Sequence, residues 1–306
     1  MMSERGAGPR QAADEPNPLA ILAALGVREP SVVTRVTGGW DTVIWRVEHG
    51  GATYALRVFR ADQAAQWRRE VAVMQAVAEH GVPVPRVHAT TLWQDRPALL
   101  LSWCPGQPVL HEVRARPWRA WSLGVAMGRV QARLHALRVP EALAPLLPAW
   151  IPRAGETELA LQARLNALGR RRPAALLHLD YHLLNVMSAD RTVTGVLDWA
   201  NAAVGDPRAD LARTVALLRL PPAPPGTPAV LVAGLRRVLE AGWRTGYQQV
   251  AGPFGDLALF YAWAGAMMER DLRPRLGKPG LWLQASDLAR IHRWTLTWKR
   301  RAGVSP

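Results

Sequence analysis

The sequence has 306 residues, of which 49% are hydrophobic and 20% charged, and its formal net charge is +14. A chain of this length exceeds one ordinary hydrophobic core and predicts two lobes, while the single cysteine, Cys104, excludes an internal disulfide. The polar start of the chain lacks a signal-peptide pattern, and no apolar run is long enough to span a bilayer. We therefore expect a cytoplasmic protein with no membrane partner.

The excess of positive charge raises the question of nucleic-acid binding, because basic side chains that neutralise phosphates supply most non-specific affinity. Lysine occurs only at 278 and 299, and the arginines are spread along the chain rather than clustered in one segment. This distribution does not favour nucleic acid as the partner. The bias towards arginine resembles a compositional habit of the source genome, and a milder consequence of the net charge is an attraction of anionic nucleotides.

Residues 1–16 are expected to form a flexible tail. Asn17 and Pro18 are typical of a helix start, and Gly26 is typical of the end of that helix. Short runs rich in β-formers follow, separated by glycine turns, and they predict consecutive antiparallel hairpins over 31–36, 42–48 and 53–59.

The rest of the chain is predicted to be mainly helical. A helix over 62–79 would bury an apolar face made of Val71, Met74, Val77 and Ala78. An extended connector, VPVPRV, and a strand over 97–103 complete the first lobe. Further helices are predicted around Leu123 to Leu137, over 156–168, after Asp206 and Pro207, and over 229–249, 254–271 and 284–299.

The most informative stretch runs from Leu176 to Trp199, where two acids and an amide follow short apolar segments. The spacing from Asp180 to Asn185 matches the D-x-x-x-x-N catalytic loop of protein kinases. A single Asp–Asn pair in a loop is ordinarily a turn former. Together with Asp198, however, it forms the set needed for phosphoryl transfer: one carboxylate orients the attacking hydroxyl, and the amide and second carboxylate bind Mg²⁺.

The segments HLDYHLLNVM and GVLDWANAAVGDPRADLA resemble the aminoglycoside phosphotransferase family of small-molecule kinases. The family pattern is HGDxHxxN, then a hydrophobic run ending in Asp-Trp, then GDPxxDLA, and all three parts occur here in that order. Leu179 replaces the usual Gly, and Leu183 and Leu184 replace a common Pro-Gly. A leucine at position 179 bears on the loop backbone, because only glycine adopts left-handed angles without a steric cost.

The resemblance implies an α+β, two-lobed protein-kinase-like fold that uses Mg²⁺ and ATP or GTP. Its expected parts are a tail (1–16), a nucleotide-binding lobe (17–102), a hinge (103–107) and a helical catalytic and substrate-binding lobe (108–306). Backbone groups of Ser102, Trp103 and Cys104 are expected to flank the nucleotide base. Asp180 is the expected catalytic residue, and Asn185 and Asp198 are the expected metal ligands.

The resemblance also implies how the first lobe would bind phosphates. GGWDTVIWRV is similar to a family segment, so Gly38 and Gly39 are expected to cover the phosphates. Arg57 occupies the place of the kinase strand lysine, with Glu70 as its expected partner. The alternative for these residues is an ordinary hairpin turn and a surface Arg–Glu pair.

The phosphate acceptor stays open among small hydroxylated molecules: an aminoglycoside, which would imply antibiotic resistance, or a macrolide, choline-like alcohol, homoserine or sugar. Asp256, Glu269, Asp271 and Asp287 could face a cationic acceptor, although scattered acids on helices are usually solvated. A catalytically idle nucleotide-binding protein of the same fold is a further alternative. The protein is expected to be a monomer or a homodimer.

Overall fold

The structure is a computed structural model that describes residues 16–36, 42–168, 173–223, 226–278 and 283–305. The predicted Gly38–Gly39 turn lies outside these residues. The chain divides into two compact units, one made of Met1–Arg68 and Pro85–Trp103 and the other of Arg69–Val84 and Cys104–Pro306. The predicted α+β fold class is confirmed, since one antiparallel five-stranded sheet accompanies many helices.

The first unit is built on that sheet. Its elements, with the helix that leads out of it, are α1 (Pro18–Ala24), β1 (Val32–Val36), β2 (Val43–His49), β3 (Ala52–Val58), α2 (Ala64–Glu79), β4 (Val87–Trp93) and β5 (Arg96–Ser102). The strand order is β1-β2-β3-β5-β4, and every neighbouring pair is antiparallel. The predicted hairpins are thus confirmed.

Strand β4 of this unit and the buried face of helix α2 differ from the sequence prediction. Strand β4 was not predicted, because it lies at the sheet edge with alternately exposed residues and carries no continuous apolar run. The predicted apolar face of α2 was wrong by part of a turn: Val71 is half-buried and Ala78 exposed, whereas Val73 is fully buried. The buried face of α2 includes Glu70. Because Glu70 is charged, the helical spacing of this face could not be recognised from apolar residues alone.

The second unit is mainly helical. Its elements after α2 are β6 (Gln107–Pro108), α3 (Val109–Ala115), α4 (Ala120–Ala136), α5 (Leu159–Ala167), β7 (Ala175–Leu177), β8 (Val186–Ala189), β9 (Thr192–Val196), β10 (Ala203–Gly205), α6 (Pro207–Arg219), α7 (Ala229–Ala251), α8 (Ala258–Leu272) and α9 (Ala285–Arg301). The long predicted helices are confirmed, with ends shifted by a few residues, whereas α3, β6 and β10 were not predicted. No helix in the described residues is long and apolar enough to cross a membrane.

Helices α4 and α7 pack with their backbones unusually close. Gly124 and Gly128 of α4 face Gly242 and Gly246 of α7. A Cβ atom added at each would meet a backbone oxygen of the facing helix, at 2.3 Å (Leu239), 2.0 Å (Trp243), 2.4 Å (Trp121) and 2.0 Å (Val125), respectively. Four glycines therefore set the spacing of this helix pair, since no side chain would fit between the backbones.

Short strands in this unit position the candidate site. Strands β8 and β9 form a hairpin in which Val186 pairs with Val196, and the Leu197 N–H donates to the Asn185 carbonyl oxygen at 2.8 Å. Strand β7 pairs with β10. The loop from β7 to β8 and the residues directly after β9 are consequently held side by side.

Candidate active site

The loop between β7 and β8 brings Asp180 and Asn185 into direct contact. The Asn185 Nδ2 donates to the Asp180 backbone oxygen at 3.0 Å and to its Oδ2 at 3.1 Å. The Asn185 N–H donates to the His182 carbonyl oxygen at 3.0 Å, which closes the loop. Because the amide nitrogen faces Asp180, the Asn185 Oδ1 is the atom left for a metal ion.

Asp198 follows β9 and emerges beside Asn185. It is exposed and has a left-handed backbone, with φ 61°, a conformation that costs a non-glycine residue energy and is often found at functional positions. Its Oδ1 accepts a long hydrogen bond from the Ala200 N–H, at 3.4 Å. A carboxylate and an amide oxygen are the hard ligands that Mg²⁺ prefers, and one or two protein ligands suffice when phosphates supply others.

His178 ties the two segments together. Its Nε2 donates to the Leu197 carbonyl oxygen at 3.0 Å, and its Nδ1 accepts from the Asp180 N–H at 3.2 Å. This pair of bonds requires the neutral ring. Burial lowers the pKa of His178, more than the charge of Asp210 raises it, so the neutral form is also the favoured one. His178 therefore positions the loop.

Opposing influences act on the Asp180 carboxyl. Burial would raise its pKa, but the neighbouring His182 ring and the charge of Arg213 outweigh burial and hold the pKa of Asp180 well below its usual range. The His182 Nε2 lies 3.6 Å from the Asp180 Oδ2. Asp180 is accordingly ionised at neutral pH and able to accept a hydrogen bond from a hydroxyl group.

Leu179, at the family's glycine position, adopts the conformation expected of the glycine. Its φ is 59° and its side chain is fully buried. The Leu179 N–H donates to the Asp210 Oδ1 at 2.6 Å, and its carbonyl oxygen accepts from the Arg213 Nε at 3.2 Å. The N–H and the carbonyl group of Leu179 are thus both held by side chains of α6.

Asp210, from the GDPRADLA segment, is the central acceptor of the hydrogen bonds that hold this part of the loop. Besides Leu179, its fully buried carboxylate accepts from the His178 N–H at 3.2 Å, from Gln131 Nε2 at 3.1 Å and from His135 Nε2 at 2.9 Å. Burial would raise its pKa, but the hydrogen bond and charge of His135 contribute to a net lowering of the pKa of Asp210. These contacts give Asp210 and His135 structural roles.

The predicted phosphate-binding pair lies on β3 and α2. The Arg57 Nε donates to Thr42 Oγ1 at 3.2 Å, and its guanidinium carbon lies 4.5 Å from the centre of the Phe59 ring. Glu70 is fully buried, where a carboxylate requires a polar or cationic partner. The pairing of Arg57 with Glu70 stays a prediction.

In the predicted base-binding segment, two of the backbone N–H groups already have partners within the protein. The Ser102 N–H donates to the Arg86 carbonyl oxygen at 2.8 Å, and the Trp103 N–H donates to that of Thr53 at 3.2 Å. These two N–H groups are therefore already used within the protein. Burial raises the pKa of Cys104 to about 11, so its thiol is unreactive. Base contacts through the carbonyl groups or the Cys104 backbone stay a prediction.

Two arginines near the site were missed by the sequence reasoning. Arg213 lies three positions after Asp210, on the same face of α6, so helical spacing could have pointed to it. Arg153 lies in a 3₁₀ turn, Ile151–Ala154, within a proline-rich segment that carries no motif. Its Nη1 donates to Asn201 Oδ1 at 3.0 Å, three residues after Asp198.

The four acids considered for a cationic acceptor all have partners of their own. Asp256 accepts from the Ala258 N–H, and Asp287 accepts from the Gln284 N–H. The ion pairs of the set are Glu269 with Arg273, Asp271 with Arg213 and Arg270, and Asp287 with Arg290. Glu269 is also in hydrogen-bond contact with the His292 ring. These acids serve caps and internal ion pairs, so the structure gives no support to an acidic acceptor surface made from them.

The fold and the paired loops are those of a kinase-like phosphotransferase. A family model described as "Phosphotransferase enzyme family" matches residues 32–252. The chain therefore belongs to this phosphotransferase family, and the resemblance drawn from its motifs is confirmed.

Solved structures with the same fold are distant in sequence. The amicoumacin kinase hAmiN, in complex with AMP-PNP, Ca²⁺ and Ami, is 14% identical, with a TM-score of 0.64 over 96% of both chains. Macrolide 2'-phosphotransferase MphH from Brachybacterium faecium is 19% identical, with a TM-score of 0.56 over 90% of this chain and 96% of that one.

A thermostable mutant of aminoglycoside phosphotransferase APH(4)-Ia, in a ternary complex with AMP-PNP and hygromycin B, is 13% identical, with a TM-score of 0.64 over 93% of this chain and 98% of that one. Among curated proteins, acyl-CoA dehydrogenase family member 10 of Mus musculus is 30% identical over a stretch that covers 50% of this chain and 17% of that protein. The matched stretch is thus only a small part of the mouse protein's length.

Proposed function

We propose that the protein transfers the γ-phosphate of ATP or GTP to a hydroxyl group of a small molecule. The observation that carries this proposal is the Asn185 side chain, which bonds Asp180 with its nitrogen and leaves its oxygen facing away, beside the segment that ends in Asp198. Asp180, which would orient the hydroxyl, and Asn185, which would bind the metal, thereby lie in one hydrogen-bonded loop.

Each residue then has a distinct role. Asp180 accepts a hydrogen bond from the acceptor hydroxyl and thereby aligns the hydroxyl oxygen with the γ-phosphorus. It takes the hydroxyl proton as the new O–P bond forms. Asn185 Oδ1 and the Asp198 carboxylate would hold Mg²⁺, which supplies charge neutralisation at the phosphates when bound. His178 fixes the distance between these groups, so most of the rate would come from placement and electrostatics.

The nucleotide would be held by groups elsewhere in the chain. Arg57, supported by Glu70, would bind phosphate oxygens, and the Gly38–Gly39 turn would cover them. The complexes of hAmiN and APH(4)-Ia with AMP-PNP support an adenine nucleotide as the donor.

The idle-protein alternative loses its main support. It required Leu179 to displace the catalytic loop, yet Asp210 and Arg213 bond both sides of that residue in its left-handed conformation.

Replacing Asp180 by Ala tests the proposal. We expect phosphate transfer to hydroxylated compounds to fall by about 10²- to 10⁴-fold, the usual contribution of a positioned acid or base. Affinity for Mg·AMP-PNP, measured by calorimetry, should stay nearly intact. Asp190→Asn, at an exposed carboxylate in the turn between β8 and β9, is the matched control and should change neither quantity. A fully active Asp180→Ala protein would disprove the assignment.

A further inference from the structure

The second unit contains a cluster of three arginines, two of which share one carboxylate. The two oxygens of Asp271 are both used, by Arg213 Nη2 at 2.9 Å and by Arg270 Nη2 at 2.6 Å. Nearby, Arg153 has only the neutral Asn201 amide as its hydrogen-bond partner and no carboxylate partner among the residues that the structure describes. We call Arg153, Arg213, Arg270 and Asp271 the arginine cluster.

The charge of the cluster is not balanced from within. Arg153 is half-buried, and burial, followed by the charge of Arg270, lowers its pKa to about 10; Arg69 and Arg213 act in the same direction and Asp271 opposes them. Arg213 is almost fully buried, and its Nη1 has no hydrogen-bond partner in the described part of the chain. Such crowding of cations is costly unless an anion joins them.

The cluster adjoins both segments of the candidate active site. Arg213 bonds the carbonyl oxygen of Leu179, directly before Asp180, and Arg153 bonds Asn201, shortly after Asp198. Its members come from α6, α8 and the turn before α5, none of which carries a predicted nucleotide contact. A molecule that places a hydroxyl at Asp180 would therefore have its remaining groups close to arginines.

We propose that the phosphate acceptor is an anionic alcohol, a small molecule that carries a carboxylate or a phosphate group besides its hydroxyl, and that Arg153 binds this anionic group. The inference rests on the proposed phosphotransferase function and specifies its substrate class. Arg213 and Arg270 add positive potential, and Arg213 also positions the loop. The acceptor oxygen forms the new O–P bond, the bond from the γ-phosphorus to the β-phosphate oxygen breaks, the nucleoside diphosphate leaves, and the hydroxyl proton passes to Asp180.

Compounds that share a carbon skeleton but carry different charged groups would test the proposal. One set is glycerol, glycerate, glycerol 3-phosphate and 2-amino-1,3-propanediol; the other is glucose, gluconate, glucose 6-phosphate and glucosamine. Binding is measured by thermal shift with Mg·AMP-PNP present, and transfer is measured with Mg·ATP. We expect binding to be confined to acids or phosphate esters, and the comparison of these two arms identifies the anionic group.

The variant Arg153→Gln should weaken binding of the anionic compounds by about 10-fold or more, since charge-assisted bonds are the strong ones. Its affinity for Mg·AMP-PNP should not change. Arg133→Gln, at an exposed arginine of α4, is the control and should behave as the wild type. Without any ligand, Arg153→Gln should melt at a higher temperature than the wild type, because it relieves the crowding of cations.

Preferential binding of the amino or neutral compounds, binding of no anionic compound, or a lower melting temperature for Arg153→Gln would each overturn the anionic-acceptor proposal. Loss of Mg·AMP-PNP affinity in Arg153→Gln would overturn it as well, because the cluster would then bind the nucleotide. Transfer to an amino compound that depends on Asp180 would leave the phosphotransferase function standing. Absence of any Asp180-dependent transfer would instead contradict the proposed function itself.

Discussion

Leu179 gives a sharp test of how the catalytic loop is held, through the comparison of Leu179→Ala with Leu179→Gly. Both variants remove a fully buried side chain, which for leucine to alanine costs about 2–5 kcal/mol. At an ordinary position, glycine would be worse than alanine by a further amount of about 0.5–1 kcal/mol. At residue 179, with φ 59°, alanine keeps a left-handed strain of about 1–2 kcal/mol that glycine escapes.

The two terms have opposite signs, and the strain is the larger. We therefore expect Leu179→Gly to be as stable as Leu179→Ala or more stable by about 1 kcal/mol, although it has lost more atoms. The free energies of unfolding are obtained from urea titrations followed by circular dichroism, with the slopes compared to check that both variants unfold in the same way.

Activity gives an independent reading of the same loop. Because Leu179→Gly restores the family's usual residue and leaves the N–H bond to Asp210 intact, we expect its rate of phosphate transfer to stay close to that of the wild type. A Leu179→Gly protein less stable than Leu179→Ala by about 1 kcal/mol would contradict a left-handed strain at residue 179, since that is the difference expected where φ is negative.

Two further predictions concern the packing and the pH dependence of the second unit. Gly128→Ala should destabilise the protein strongly despite alanine's better helix propensity, because the added Cβ would lie 2.0 Å from the Trp243 backbone oxygen. Gly234→Ala, at a position of α7 with open space around it, should instead stabilise the protein by about 1 kcal/mol. Thermal melts of the two variants check both expectations. The pKa of His178 is lowered in the folded state. The stability that the neutral His178 ring contributes is therefore fully present above the pKa of an unfolded histidine, about 6.5, and is lost as pH falls from there towards the folded pKa. Urea titrations between about pH 7 and 5 should show a smaller fall in stability for His178→Asn than for the wild type, by at most about 1.4 kcal/mol per pH unit; equal falls would contradict the neutral ring.

Much of the architecture was predictable because it depends on local signals. The cap at Asn17, the hairpin turns and the long apolar stripes act within a few residues, so α1, the β1–β3 meander and the long helices followed from the sequence. Edge strand β4 did not, because an edge needs few apolar residues. The α4–α7 contact did not either, since the glycines in α4 and α7 gain their meaning only from the partner helix.

The site divides in the same way. Asp180, Asn185 and Asp198 were recognisable because a fixed spacing and a family pattern mark them. The contact between Arg153 and Asn201 was not, because it joins residues far apart in the sequence. Arg153 belongs to no motif, and Asn201 lies between the Asp-Trp and GDPxxDLA parts of the family pattern. The use of Asp271 as an internal ion-pair partner likewise depends on α6 and α8 packing together. Only tertiary structure could show that this acid is unavailable to a substrate.

The tolerance of leucine at position 179 follows from where the loop's conformation is determined. If the residue itself imposed the left-handed backbone, glycine would be required. Here the conformation is imposed from α6, since Asp210 accepts the N–H and Arg213 donates to the carbonyl oxygen. Burial of the leucine side chain offsets the strain. Asp210 and Arg213 therefore hold the loop between β7 and β8 in this chain, and we expect leucine to be tolerated at position 179 as long as these contacts are kept.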